Sequence, residues 1–216
     1  MSKLKDMFYA HRNLYTCKFP HYMDIYDMWF TPFIGKEVTF LEVGSGVGGF
    51  LQIMKKFLGD KAKVYGIDMR DDFLFEEPQI KMFSGDQGDR EFLRKVIKEI
   101  GTVDILVDDA GHERDRQIVT FEEFMPNINQ NGGLYCIEDL NHAYHPDPAM
   151  SNPSFLDYMK KYLDKMNLGN HPPIIESVNF YTYLAILHLS AEPTRYASPR
   201  GVGDPELYDQ CKPENQ

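Results

Sequence analysis

VTFLEVGSGVGGFLQIM, residues 38–54, reads as a strand running into Glu42 and Val43, a turn built on Gly44, Gly46, Gly48 and Gly49, and the start of a helix. Strand, glycine turn and helix in that order form a nucleotide-cofactor site. The glycines let the backbone turn sharply and a ligand come close, and the helix start offers free N–H groups to negative charge. Outward from this stretch the alternation continues. KVYGID (63–68), QIKMFSGD (79–86), VDILVDD (103–109) and GGLYCIED (132–139) read as strands. Helices are expected from Asp89 to Ile100, over 114–128 and from Phe155 to Leu168. Repeated βα units imply a parallel sheet with helices on both faces. IIESVNF (174–180) and YLAILHLS (183–190) lie too close together for a crossover helix. They are expected to pair antiparallel across a turn at Tyr181 and Thr182, which makes seven strands in all.

A chain of 216 residues suits a single domain. Residues 1–35, rich in aromatics, read as a helical cap, 36–190 as the core, and 191–216, with Pro193, Pro199, Pro205 and Pro213, as an irregular tail. The net charge of −10 argues against general binding to nucleic acid, which needs clustered Lys and Arg. Cys17, Cys136 and Cys211 are widely spaced and form no CxxC, so a disulfide framework is not expected and a reducing compartment fits. No stretch approaches the ~20 apolar residues that span a bilayer, and the N-terminus lacks the apolar run of a secretory signal. A cytoplasmic protein with no membrane contact is the expectation.

Gly44, Gly46 and Gly49 match GxGxxG, a pattern shared by several cofactors. The acids narrow the choice. Glu42 stands two residues before the first glycine, where a pyrophosphate needs no carboxylate but an ammonium group benefits from one. Asp68 ends the second strand, in position for ribose hydroxyls, as it also would for NAD. Asp86 ends the third, where an adenine amino group can be met. Together they suit S-adenosylmethionine, which carries a sulfonium and an ammonium and no phosphate.

A second constellation follows in VDDAGH (107–112) and IEDLNH (137–142). Asp108, Asp109, Glu138 and Asp139 come at the ends of neighbouring strands, and carboxylates so crowded need a cation among them. Oxygen donors suit a hard ion, most simply Mg²⁺; Zn²⁺ is disfavoured because neither Cys nor paired His accompanies the acids. His112 sits three residues beyond Asp109. An imidazole titrating near pH ~6.5 can take the proton of a metal-bound hydroxyl. His142 and His145 are nearby, in loop sequence, and read as substrate contacts.

These residues resemble the small class I S-adenosylmethionine-dependent O-methyltransferases that act on sugars of natural products, such as the macrocin and mycinamicin sugar methyltransferases. The similarity covers about residues 15 to 190. It is carried by GKEVTFLEVGSGVGG, VYGID, SGDQGDREFL, VDILVDDAGH, FEEFMPNINQNGGLYCIEDL and VNFYTYLAIL. The resemblance implies a Rossmann-like fold, Mg²⁺ on Asp109, Glu138 and Asp139, and His112 as general base. Its cofactor set falls on Glu42, Gly44, Ser45, Gly46, Gly49, Asp68, Met69, Asp86, Gln87 and Asp108, with Tyr22 from the N-terminal segment. That segment matches the family's TDK, H-Y and aromatic pattern at Thr16, Lys18, His21, Tyr22, Tyr26, Trp29 and Phe30, and implies closure over the cofactor; Cys17 replaces the usual acid. A sugar on a small molecule or glycan is the expected acceptor and a homodimer the expected assembly. A catechol acceptor is the nearest rival. An NAD-dependent dehydrogenase would leave the acids at 138 and 139 without a role, and a non-catalytic module would leave His112 without one.

Overall fold

The computed structural model describes residues 3–151, 153–168 and 175–190. The N-terminal cap is α1 (Lys3–Ala10) and α2 (Pro20–Phe30), joined by an irregular strap over residues 11–19. α2 opens on Pro20, whose fixed φ suits a first helical turn. It buries Tyr22, Met23, Tyr26 and Phe30, the spacing of one helical face. The core then runs β1 (Val38–Val43), α3 (Gly49–Leu58), β2 (Ala62–Asp68), β3 (Glu76–Glu77), β4 (Ile80–Ser84), α4 (Arg90–Ile100), β5 (Ile105–Asp108), α5 (Arg114–Phe124) and β6 (Asn131–Ile137). It closes with α6 (Pro148–Ser151), α7 (Phe155–Leu168), β7 (Ile175–Tyr181) and β8 (Leu184–Ser190).

The strands form one sheet in the order β3-β4-β2-β1-β5-β6-β8-β7. β4, β2, β1, β5 and β6 are parallel, while β8 runs antiparallel to both β6 and β7. The fold is thus the expected Rossmann-like arrangement with a C-terminal antiparallel hairpin, with eight strands rather than seven. The additional strand, β3, is two residues long and antiparallel to β4, too short to leave a periodic signal. The hairpin turn is at Thr182 and Tyr183, one residue later than expected, because Tyr181 pairs with Leu184. Tyr183 holds a left-handed φ of 63° there. The helix expected over 114–128 ends at Phe124 in a short 3₁₀ turn around Pro126, which has no N–H for an α-helical bond. The tail expected over 191–216 lies outside the described residues.

Alternation along the central strands builds two cores. Phe40, Val64, Val107, Cys136 and Ile186 face α1, α2 and α3. Leu41, Val43, Ile67, Leu106, Ile137 and Leu187 face α4, α5 and α7. The chain steps from β1 through β2 and β4 towards one edge, and from β5 through β6 towards the other. The order reverses between β1 and β5, and in open α/β sheets a ligand crevice opens beyond the strand ends at that point. Among the described residues no helix is long and apolar enough to cross a membrane.

Candidate functional site

A cavity of about 550 Å³ opens there, lined by the ends of β1, β2, β4 and β5 and the loops after them. It is large enough for a nucleoside-sized ligand. Gly44, Gly46, Asp68, Met69, Asp86, Gln87 and Asp109 are on its wall. The glycines have separate tasks. A Cβ on Gly44 would sit 2.3 Å from the carbonyl oxygen of Asp109, so the loops after β1 and β5 touch only because that side chain is missing. A Cβ on Gly49 would meet the carbonyl of Leu14 at 2.3 Å, so this glycine admits the N-terminal strap. Gly46 alone of the three faces open space.

The acids around the cavity are already engaged. Asp68 Oδ2 accepts the Gly46 N–H at 2.8 Å and fixes the glycine loop. Asp86 Oδ1 accepts the Gly88 N–H at 2.7 Å and pairs with Arg116 Nη1 at 2.6 Å. Gln87 is buried, and its Oε1 accepts the Gly111 N–H at 2.6 Å. Ser45 is buried with its hydroxyl on the Ile67 carbonyl, and Met69 is exposed at the rim. Of the expected cofactor residues, Tyr22, Glu42, Ser45, Gly49 and Asp108 are not among the cavity's lining residues. The Tyr22 hydroxyl donates to Asp139 Oδ1 at 2.9 Å and lies 3.1 Å from the Tyr183 carbonyl.

Beside the cavity lies a buried charge cluster. The Lys18 side chain is 3% exposed, and its Nζ is 2.7 Å from Glu42 Oε1, 2.5 Å from Asp109 Oδ2 and 3.1 Å from Glu138 Oε1. It also lies 5.0 Å from the centre of the Phe50 ring. Burial opposes the Lys18 charge, but the three carboxylates outweigh it and hold its pKa well above the usual range. Burial pushes the Glu42 carboxyl up to about 6, against the pull of Lys18. It pushes Asp108 up to about 7, despite a hydrogen bond from Tyr135. Glu138 is raised as well, by burial first, although Tyr26 donates to its Oε1 at 2.8 Å. Glu42 Oε2 and Asp108 Oδ1 are buried without any hydrogen-bond partner. One lysine against Glu42, Asp108, Asp109, Glu138 and Asp139 leaves the pocket short of positive charge.

Asp109, Glu138 and Asp139 each bring one oxygen to within 4.8 Å of the others. An all-oxygen set with surplus negative charge fits a hard divalent cation. Asp139 takes a left-handed φ of 55°, strained for a residue that is not glycine, and the turn brings its carboxylate back over the strand ends. His112 Nε2 lies 3.8 Å from Asp139 Oδ2. Burial and the neighbouring His142 lower the His112 pKa, which favours the neutral ring. The two imidazoles stack with centroids 4.3 Å apart. Sequence spacing had argued against paired histidines; the loops after β5 and β6 bring these two together across 30 positions of sequence. Lys18 as the clamp, Tyr26 on Glu138 and Arg116 on Asp86 were likewise missed as site residues, since only the fold reveals what each one touches. The N-terminal TDK-like pattern was the available signal for Lys18.

Comparison with known proteins gives a consistent picture. Residues 18–135 match the model of the FtsJ-like methyltransferase family, more than half of the chain. The chain is 31% identical over 165 residues to the 8-demethyl-8-alpha-L-rhamnosyl tetracenomycin-C 2'-O-methyltransferase of Streptomyces olivaceus, covering 70% of this chain and 42% of that protein. It is 32% identical to the mycinamicin VI 2''-O-methyltransferase of Micromonospora griseorubida, covering 67% and 38%. The structure superposes on the MycE methyltransferase of mycinamycin biosynthesis, solved with Mg, SAH and mycinamycin VI. The TM-score is 0.78 at 25% identity, covering 97% of this chain and 60% of MycE. The chain therefore spans less than half the length of these two curated relatives.

Proposed function

The chain belongs to the FtsJ-like methyltransferase family, and from that premise we propose that it transfers a methyl group from S-adenosylmethionine to a hydroxyl of a sugar. The acceptor sugar is borne on a small molecule or glycan, and the reaction is assisted by Mg²⁺ or another hard divalent cation. One observation carries this reading: Asp109 belongs both to the wall of the 550 Å³ cavity and to the oxygen trio with Glu138 and Asp139. A cofactor in the first and an acceptor held at the second are then neighbours. The relatives named above, both sugar O-methyltransferases, support the acceptor class.

The chain's residues divide the work. Asp68 takes the ribose hydroxyls, Asp86 and Gln87 the adenine end, and Gly44, Ser45, Gly46 and Gly49 shape the loop beneath. Glu42 and Asp108 adjoin cavity-lining residues and keep an unpartnered oxygen each, which suits a cofactor carrying an ammonium and a sulfonium. Asp109, Glu138 and Asp139 would hold the cation, which would supply Lewis acidity towards an acceptor hydroxyl. His112, kept neutral by its surroundings, accepts the hydroxyl proton at Nε2.

Thermal unfolding with S-adenosylmethionine, S-adenosylhomocysteine or NAD, each with Mg²⁺ and with EDTA, tests the cofactor. A ligand at ~100 times its dissociation constant adds about 2.7 kcal/mol, a rise on the order of 5–10 °C for a domain of this size. Shifts with both adenosyl ligands and none with NAD are expected; a shift with NAD alone overturns the reading. Methyl transfer to glycosides and to catechols then separates the acceptor classes. His112→Gln is expected to slow transfer by roughly 10²-fold or more.

A further inference from the structure

His112, Asp139 and His142 each offer one donor atom, and the three atoms lie within 4.8 Å of one another. Asp139 is shared with the oxygen trio, but the other two donors are imidazole nitrogens. Two nitrogens and one carboxylate oxygen are a different chemical environment from three carboxylates. They suit a borderline transition ion such as Zn²⁺, which takes three protein ligands and leaves a fourth position open. The geometry is close to what such an ion needs. Donors at ~2.0–2.2 Å from a tetrahedral ion are roughly 3.3–3.6 Å apart, and His112 Nε2 is already 3.8 Å from Asp139 Oδ2. The two rings lie 4.3 Å apart with planes tilted by 26°, so a shared ion needs a small rotation of one ring to bring both lone pairs onto it. His142 Nδ1 is buried and has no hydrogen-bond partner, an unfilled requirement that a metal or a metal-bound water can meet. His142 is also held in place by its backbone, whose N–H donates to the Asp139 carbonyl at 3.0 Å.

We propose that His112, Asp139 and His142 form a second metal site, selective for Zn²⁺-like ions over Mg²⁺, and that filling it inhibits the neighbouring centre. Inhibition follows from shared atoms. An ion there consumes the Nε2 lone pair of His112 and draws a carboxylate oxygen of Asp139 away from the oxygen trio. The ion-binding half of this proposal is independent of methyl transfer; the inhibitory half rests on that function.

Co²⁺ titration of the metal-free protein, followed by visible absorption, reads the site directly. An intense band of four- or five-coordinate Co²⁺ is expected, displaced by Zn²⁺ and not by Mg²⁺ at the same concentration. The faint spectrum of octahedral Co²⁺ would place the ion on the oxygen trio instead and overturn the proposal. His142→Gln is expected to abolish the intense band and weaken Zn²⁺ binding by at least the 10–100-fold that loss of a mere supporting partner costs. Unchanged Zn²⁺ affinity in a folded His142→Gln protein overturns it too. Glu138→Gln, which alters the oxygen trio and none of the three proposed ligands, should keep the band. Inhibition is scored as the transfer rate with Zn²⁺ divided by the same protein's rate without it. That ratio should fall in the parent protein and stay near one in His142→Gln. If adenosyl ligands bring no thermal shift while the intense band is present, the methyltransferase reading fails and the ion site stands.

Discussion

Lys18→Met removes the only cation in contact with Glu42, Asp109 and Glu138 among the described residues, and replaces it with an apolar side chain of similar length. At an effective dielectric of ~20, each ion pair at 2.5–3.1 Å is an attraction of about 5–7 kcal/mol. Most of that is cancelled by the cost of stripping water from four buried charges. Breaking a buried pair by removing one partner still costs about 3–5 kcal/mol, because the other charge stays behind. With three carboxylates left together, the upper end is expected. In a domain of this size that is a fall in Tm on the order of 10–20 °C, measured by differential scanning calorimetry in EDTA. Added Mg²⁺ takes over two of the same carboxylates, Asp109 and Glu138. The Tm gain from Mg²⁺ should therefore be larger in the variant than in the parent. A fall of less than about 2 °C in EDTA would refute the buried clamp. A large fall with no additional Mg²⁺ rescue would refute the idea that lysine and metal neutralise the same acids.

Tyr26→Phe strips Glu138 Oε1 of a buried donor at 2.8 Å. It should cost about 1–3 kcal/mol in urea unfolding; no loss would mean that the bond contributes nothing. Gly49→Ala places a methyl 2.3 Å from the Leu14 carbonyl and 2.4 Å from that of Tyr15, so the strap carrying Lys18 must move. Overpacking of about 1–3 kcal/mol is expected, with faster amide hydrogen exchange over residues 14–18; unchanged exchange there contradicts the close approach. The pH dependence has a definite sign. Glu42 rises from 4.5 to about 6 on folding and Asp108 from 3.8 to about 7. Between these values the folded protein holds protons that the unfolded chain has released, so stability falls as pH rises from about 4 to 7. The lowered His112 acts oppositely just below pH 6.5, one group against the three raised carboxyls Glu42, Asp108 and Glu138. Tm in EDTA should therefore decline from pH 5 to 7.5, and Mg²⁺, which binds ionised acids, should flatten or reverse the decline. A Tm that climbs across that range in EDTA would show these carboxyls to be ionised without cost.

Neighbouring residues specify the local order: a strand into Glu42, a turn of glycines, a helix, and then acids at the ends of successive strands. That much is legible because strand and helix periods and glycine turns are properties of neighbouring residues. Asp109, Glu138 and Asp139 could be gathered from sequence for the same reason, since each follows directly on β5 or β6 and parallel strands put their ends on one side. The two-residue β3 left no periodic trace. Which side chains meet across distant segments is settled by packing alone. The strap delivers Lys18 into the acids from a position 91 residues before Asp109. α2 sets Tyr22 and Tyr26 on Asp139 and Glu138, and two loops stack His112 against His142. Those contacts depend on where the cap and the loops pack, and packing is driven by apolar burial that carries no record, in local sequence, of its polar consequences.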